Sequence, residues 1–173
     1  MGSIPQELLS LNQWVAWRTE IVNGKETKVP YRCNGSGRAE SDNPSTWSDY
    51  GTAVAFVRNN QGYGLGFMLS NNGHKRHWFA DLDDTELAST PPEVKAYHYQ
   101  LMQWFGDTYI ERSPSGDGYH IVGEGQLPEH SCKPGAMQFE LYSKLRFMTI
   151  TGDNMEWTPA LRQRKIGTVA VGC

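Results

Sequence analysis

Asp81 and Asp83 stand two residues apart in the run Phe79-Ala80-Asp81-Leu82-Asp83-Asp84. In a β-strand, residues i and i+2 project from one face, about 7 Å apart along the chain. Two carboxylates so placed repel one another unless a cation lies between them. Divalent metals with oxygen ligands are the usual remedy, and such a pair is what a two-metal phosphoryl-transfer site uses. The same residues also suit a plainer role, a strand that ends in a turn with solvated carboxylates. Asp84 points the other way in a regular strand and is assigned to that turn.

Three further features carry chemistry. Ser113-Pro114-Ser115-Gly116-Asp117-Gly118-Tyr119-His120 is a Gly-rich loop followed by a histidine. Backbone N–H groups of such a loop, around Ser115 and Gly116, can approach a phosphate closely, and His120 can donate to a phosphate oxygen. The alternative is a hairpin turn and a core histidine. Next come Phe139-Glu140-Leu141-Tyr142 and Arg146-Phe147-Met148-Thr149-Ile150-Thr151-Gly152. Glu140 and Arg146 on neighbouring strands suit a structural ion pair, or a third metal ligand and a triphosphate clamp. Thr149 and Thr151 share one face of the later strand. Lys28, in Lys28-Val29-Pro30-Tyr31, reads locally as an exposed lysine on an edge strand.

The elements that must hold these residues follow from periodicity. Residues 5–12 suit a short helix with Pro5 in its first turn. Gln13–Thr19 alternate as a strand, Asn23-Gly24 signals a type I′ hairpin, and Thr27–Tyr31 is the returning strand. Residues 33–45 form a loop and a helix runs from about Ser45 to Asn59. Gly62–Leu69 and His77–Asp83 are strands. Thr90-Pro91-Pro92 opens a helix to about Phe105 with Val94, Tyr97, Leu101 and Trp104 as its buried stripe. Thr108–Arg112, Tyr119–Gly123, Met137–Tyr142 and Arg146–Thr151 are strands. The expected class is α+β with a largely antiparallel sheet. A small N-terminal αβ unit (about 1–60) precedes a ββαββββ part (about 61–152), and 153–173 is a tail or linker.

At 173 residues the chain has room for one domain and a short appendage. Sixteen basic residues against nineteen acidic ones leave a net charge of −3. That argues against a purely electrostatic nucleic-acid binder, but not against an enzyme that meets nucleic acid through metals and a local patch. No run approaches the ~18 apolar residues of a membrane span, and Met1–Ser10 has no signal-peptide character. Scattered Cys33, Cys132 and Cys173 exclude a disulfide framework and a Cys-rich zinc site. An intracellular, cytoplasmic protein is expected. His74 and His77 read as solvated turn histidines.

In this order, the features resemble the primase-polymerase family of phages and plasmids, a branch of the archaeo-eukaryotic primase superfamily. Within it they are most similar to the proteins of deep-sea vent phages. The likeness runs from Trp14-Val15-Ala16-Trp17 through Lys28-Val29-Pro30-Tyr31, Pro44-Ser45-Thr46-Trp47-Ser48, Gly64-Leu65-Gly66-Phe67 and Asp81-Leu82-Asp83. It continues through Glu111 to His120, Glu140-Leu141-Tyr142 and Arg146 to Gly152. The resemblance makes 61–152 the catalytic part and implies a missing C-terminal region. It implies an RRM-like catalytic sheet with flanking helices, and DNA polymerase activity with priming by the full-length protein. It implies that Asp81, Asp83 and Glu140 hold two Mg²⁺ or Mn²⁺ ions. It implies that Ser115, Gly116 and His120, with Lys28, Arg146 and Thr149, form the nucleotide side, His120 contacting phosphate. The implied partners are dNTP or NTP, single-stranded template, primer-template duplex, and a helicase region or helicase. Two other functions use the same residues: a non-catalytic nucleic-acid-binding or replisome-docking module, and a metal-dependent phosphoesterase. Ser115, His120 and Arg146 favour transfer over hydrolysis.

The net charge predicts weak grip on template, hence salt-sensitive synthesis of short products. Primer extension that yields long products at high salt would contradict this.

Overall fold

The computed structural model of the chain describes residues 4–70, 77–106, 108–125 and 137–155. Its elements are α1 (Gln6–Leu9), β1 (Trp14–Val22), β2 (Lys25–Tyr31), a 3₁₀ turn (Pro44–Thr46), α2 (Tyr50–Asn59), β3 (Gly64–Leu69), β4 (His77–Leu82), α3 (Pro92–Trp104), β5 (Tyr109–Arg112), β6 (Tyr119–Glu124), β7 (Phe139–Tyr142) and β8 (Arg146–Ile150). The α+β class is as expected. The strands pair antiparallel and form two four-stranded sheets, β2-β1-β3-β8 and β5-β6-β4-β7. The chain divides accordingly into an N-terminal unit (Gln6–Ser70 with Leu145–Ile150) and a second unit (Met1–Pro5, Asn71–Lys144, Thr151–Cys173). Both β3 and β8 are hydrogen-bonded into the N-terminal sheet. No helix among the described residues is long and apolar enough to cross a membrane.

In the N-terminal unit, Asn23 and Gly24 both take positive φ, 51° and 76°, as the type I′ hairpin requires. The helix expected from Ser45 is broken in two. Asn43 caps the 3₁₀ turn, and Asp49 then caps α2 by accepting from Thr52 N at 2.9 Å and from Thr52 Oγ1 at 2.6 Å. These hydrogen bonds hold the Asp49 carboxyl below its ordinary range, the hydroxyl contributing most. Trp14 is fully buried, edge-on to Tyr50 of α2 and Phe67 of β3, and its indole N–H donates to Leu8 O at 3.0 Å. Register is set by a large residue facing none. Trp17 lies opposite Gly64, where an added Cβ would come within 2.6 Å of the indole nitrogen.

The second unit repeats that device. Trp78 of β4 lies opposite Gly123 of β6, and any side chain at 123 would run into the Trp78 indole. One face of this sheet is apolar. Trp78, Ala80, Leu82, Ile110, Tyr119, Ile121 and Phe139 bury against Leu101 and Met102 of α3. The α3 stripe departs from expectation: Trp104 is half exposed, while His98 and Met102 are buried. His77, expected in solvent, is buried opposite Glu124. His74 lies outside the described residues, as does the tail from 156 onward. Residues 153–155, before it, are hydrogen-bonded to β5. Asp153 O accepts from Arg112 N at 2.9 Å, and Met155 N donates to Ile110 O at 3.1 Å, which covers the outer edge of β5.

His98 ties α3 to the segments that flank one end of the β4–β7 pair. Its Nε2 lies 2.7 Å from Met137 O, and its Nδ1 lies 2.8 Å from Thr85 Oγ1. A carbonyl only accepts, so Nε2 carries the hydrogen and Nδ1 accepts. Burial pushes the His98 pKa below its ordinary 6.5. The fold therefore favours the neutral ring, and the unfolded chain takes up the proton first as pH falls. Stability from this group is full above 6.5 and declines as pH drops toward the lowered folded pKa. Urea midpoints taken at about pH 7.5 and about pH 5.5 are expected to fall more for the wild type than for His98→Gln, which keeps a donor but does not titrate. Equal losses in the two proteins would refute this.

Candidate active site

Asp81 occupies the middle of the polar row on the second sheet. In register it faces His120 of β6 on one side and Glu140 of β7 on the other. His120 in turn faces Glu111 of β5. Directly opposed residues in antiparallel strands share a face, so Glu111, His120, Asp81 and Glu140 form one line across four strands. The line lies on the face opposite Ala80 and Leu82 because side chains alternate along β4.

Asp83 follows the last residue of β4, exposed, with its N–H donating to Gln138 O at 3.0 Å. Asp84 takes a left-handed φ of 55° and opens the turn, as expected. Asp81 and Glu140 are half-buried carboxylates on neighbouring strands. Their Cβ atoms are about 4.5–5.5 Å apart in such a pair, and like charges directly opposed destabilise a sheet. The Tyr142 hydroxyl donates to Glu140 Oε2. The donor chemistry fits a hard divalent cation: carboxylate oxygens, partly open to solvent, on two paired strands and at one strand end. Among the described residues no three His, Cys, Asp or Glu side chains converge on one point. Register brings the acids to one face without assembling a cage.

His120 is held from three directions. Its Nδ1 lies 2.9 Å from Glu111 Oε1, its Nε2 lies 3.7 Å from Asp81 Oδ1, and the Phe79 ring packs edge-on at 4.8 Å between centroids. Glu111 itself is fully buried. Sequence reasoning gave it no role, although a signal was present. With Arg112 ending one strand and Tyr119 opening the next, a hairpin pairs Arg112 with Tyr119 and therefore Glu111 with His120, as observed.

The loop before His120 spends its own donors. Gly116 N donates to Ser113 O at 2.9 Å, Asp117 N to Ser115 Oγ at 3.3 Å, and Gly118 N to Ser113 Oγ at 3.1 Å. What it presents outward is the exposed Ser115, whose hydroxyl is 3.0 Å from that of Ser113. Gly116 has a φ of 85°, a turn conformation that glycine adopts freely. Arg112 stacks over Tyr119 and donates to Gly116 O at 3.1 Å. Glu86 buttresses the same loop: its N–H donates to Asp117 O at 2.8 Å, and its carboxylate accepts from Tyr119 at 2.6 Å and Tyr99 at 2.9 Å. Burial first, and the Glu86 hydrogen bond second, push the Tyr119 phenol up to about 12, so it stays a donor.

The remaining site residues belong to the N-terminal unit. Lys28 is exposed on β2 opposite Thr19, its ammonium 5.7 Å from the Trp17 ring centre. Arg146 opens β8 opposite Leu69, and Thr149 is buried opposite Gly66. Lys28 and Arg146 are on the two outer strands of that sheet, roughly 14 Å apart across it at ~4.8 Å per strand, and near opposite ends. The sheet does not bring them to one point.

The opposed carboxylates lead to a direct test. Without divalent metal, Glu140→Gln keeps an acceptor for Tyr142 and removes one of the like charges, so stability is expected to rise by a few tenths to about 1 kcal/mol. Adding Mn²⁺ is expected to stabilise the wild type and not the variant. Urea denaturation in EDTA and in Mn²⁺ reads both effects. A less stable variant in EDTA would show that the two acids are not in conflict.

Comparison with known proteins gives the geometry a relative. No protein-family model matches the chain. The DNA primase-polymerase of Nitratiruptor phage NrS-1 is 36% identical over 146 residues, which is 82% of this chain. The chain spans only 19% of that relative's length. Identity at that level, over most of a chain whose strands put acids and a histidine in one row, marks common descent, and the chain belongs to a phage primase-polymerase-like family.

Proposed function

We propose that this chain is the nucleotidyl-transfer part of a DNA-dependent polymerase, with priming by the full-length protein, in phage or plasmid replication. The observation that carries the reading is the register of β4, which lines up Asp81 with Glu140 on one side and His120 on the other. Asp81, Asp83 and Glu140 would hold Mg²⁺ or Mn²⁺. Bound there, such ions lower the pKa of a hydroxyl nucleophile and offset charge on a transferring phosphoryl group.

The protein's own residues do the positioning. His120, fixed by Glu111 and Phe79, offers Nε2 to a phosphate oxygen. Ser115, exposed at the turn that Gly116 makes, would offer its hydroxyl to phosphate. Lys28 and Arg146, both exposed, would supply positive charge toward phosphate. The substrates in this reading are dNTP or NTP, a single-stranded template and a primer 3′-OH. A helicase region or partner, and action in the host cytoplasm, complete it. Net negative charge fits an enzyme that meets DNA locally rather than along a broad basic face.

The test is extension of a labelled primer on a template with four dNTPs and Mg²⁺ or Mn²⁺. Asp81→Ala/Asp83→Ala is expected to lose activity by about two to three decades or more, the scale of a lost electrostatic stabiliser in a transition state. No extension by the wild type, together with no metal-dependent nucleotide binding, would reject the polymerase and favour a non-catalytic docking module.

A further inference from the structure

Glu111 is a fully buried carboxylate that the reaction chemistry above does not require. A charged group in such a place is tolerated only with partners. It has four donors. The Tyr109 hydroxyl reaches Oε2 at 2.7 Å, Gly152 N reaches Oε2 at 2.9 Å, Thr151 N lies 3.0 Å from both oxygens, and His120 Nδ1 lies 2.9 Å from Oε1. Two of these are backbone N–H groups, which only donate. The segment that supplies them is anchored on β5: Thr151 Oγ1 donates to Arg112 O at 2.8 Å, and Arg112 N donates to Asp153 O. The carboxylate therefore cannot turn away without stranding several donors in the interior.

We propose that Glu111 is a positioning residue for His120. By accepting from Nδ1–H it fixes which ring nitrogen carries the hydrogen and aims Nε2 at the acid row, where the incoming nucleoside triphosphate is received. This rests on the polymerase reading for the identity of the ligand, but the hydrogen bond itself does not. An imidazole has two distinct nitrogens, and the partner of one decides the state of the other. With Nδ1 committed to Glu111, Nε2 is the site-facing atom, 3.7 Å from Asp81 Oδ1. Phe79 holds the ring plane, so Glu111 has only to set the hydrogen and the rotation about the ring axis.

Glu111→Gln is the informative change. Its carbonyl can replace Oε2, which serves Tyr109, Gly152 and Thr151, and its NH₂ then faces His120 Nδ1 as a donor. The variant should keep its fold and invert the histidine tautomer. Long-range ¹H–¹⁵N correlation spectra of ¹⁵N-histidine protein in alkaline buffer read this. The wild type is expected to show a protonated Nδ1 and a bare Nε2 for His120, and Glu111→Gln the reverse. In primer extension with dTTP as the varied nucleotide, the variant is expected to raise KM about tenfold with a smaller effect on kcat, the pattern of lost ligand binding.

A bare Nδ1 in the wild type overturns the proposal. So does an inverted tautomer with KM and kcat unchanged, which would make Glu111 merely structural. A wild type that shows the protonated Nδ1 but neither extends a primer nor binds nucleotide in the presence of metal supports Glu111's hold on His120 and overturns the polymerase reading of what that histidine serves.

Discussion

A tryptophan facing a glycine holds the register on which the candidate site depends. Trp78 and Gly123 are directly opposed between β4 and β6, and the indole occupies the space a side chain at 123 would need. Sliding β6 by one residue would set Trp78 against Val122 or Glu124 and force bulk into that space. The same slip would break the line of His120 and Asp81. Because side chains alternate with a period of two, a one-residue slip of β4 itself would send Asp81 toward α3 and turn Ala80 outward. The apolar face thus protects the polar one.

Around that register, Glu111 and His98 are buried polar groups tied down by hydrogen bonds. Glu111 collects the N–H groups of Thr151 and Gly152, and His98 bridges Thr85 and Met137. In the acid row, Asp81 and Glu140 oppose each other as like charges, a local conflict that the apolar packing of the other face does not require. Natural sequences tend to keep such local conflicts where function needs them. The Ser113–Gly118 loop is stiffened by spending its own N–H groups on its own serines and by resting on Glu86.

The N-terminal sheet uses the same pairing device, with Trp17 against Gly64. It also takes in β8, a strand from the far end of the chain. That return is why Arg146 and Thr149 share a sheet with Lys28, and why Glu140, only six residues before Arg146, belongs to another. Neighbours in sequence fall in different sheets here, and residues 77 to 85 positions apart are paired.

Local chemistry was legible in the sequence wherever it depends on near neighbours. The Asn23-Gly24 hairpin needs positive φ at two adjacent residues, Asp81 and Asp83 share a face by strand period, and Asp84 belongs to the turn that follows. The element order and the α+β class follow from the same short-range patterns. Helix and strand faces were less secure, since Trp104 fits the α3 stripe by spacing yet stays exposed while His98 is buried. Sheet membership was not legible, because alternation says that a strand has two faces and nothing about which strand lies beside it. The row of Glu111, His120, Asp81 and Glu140 is therefore a product of tertiary structure. Its residues come from four strands, and only backbone hydrogen bonds between them, pinned by one large residue against one glycine, decide which acid stands beside which base.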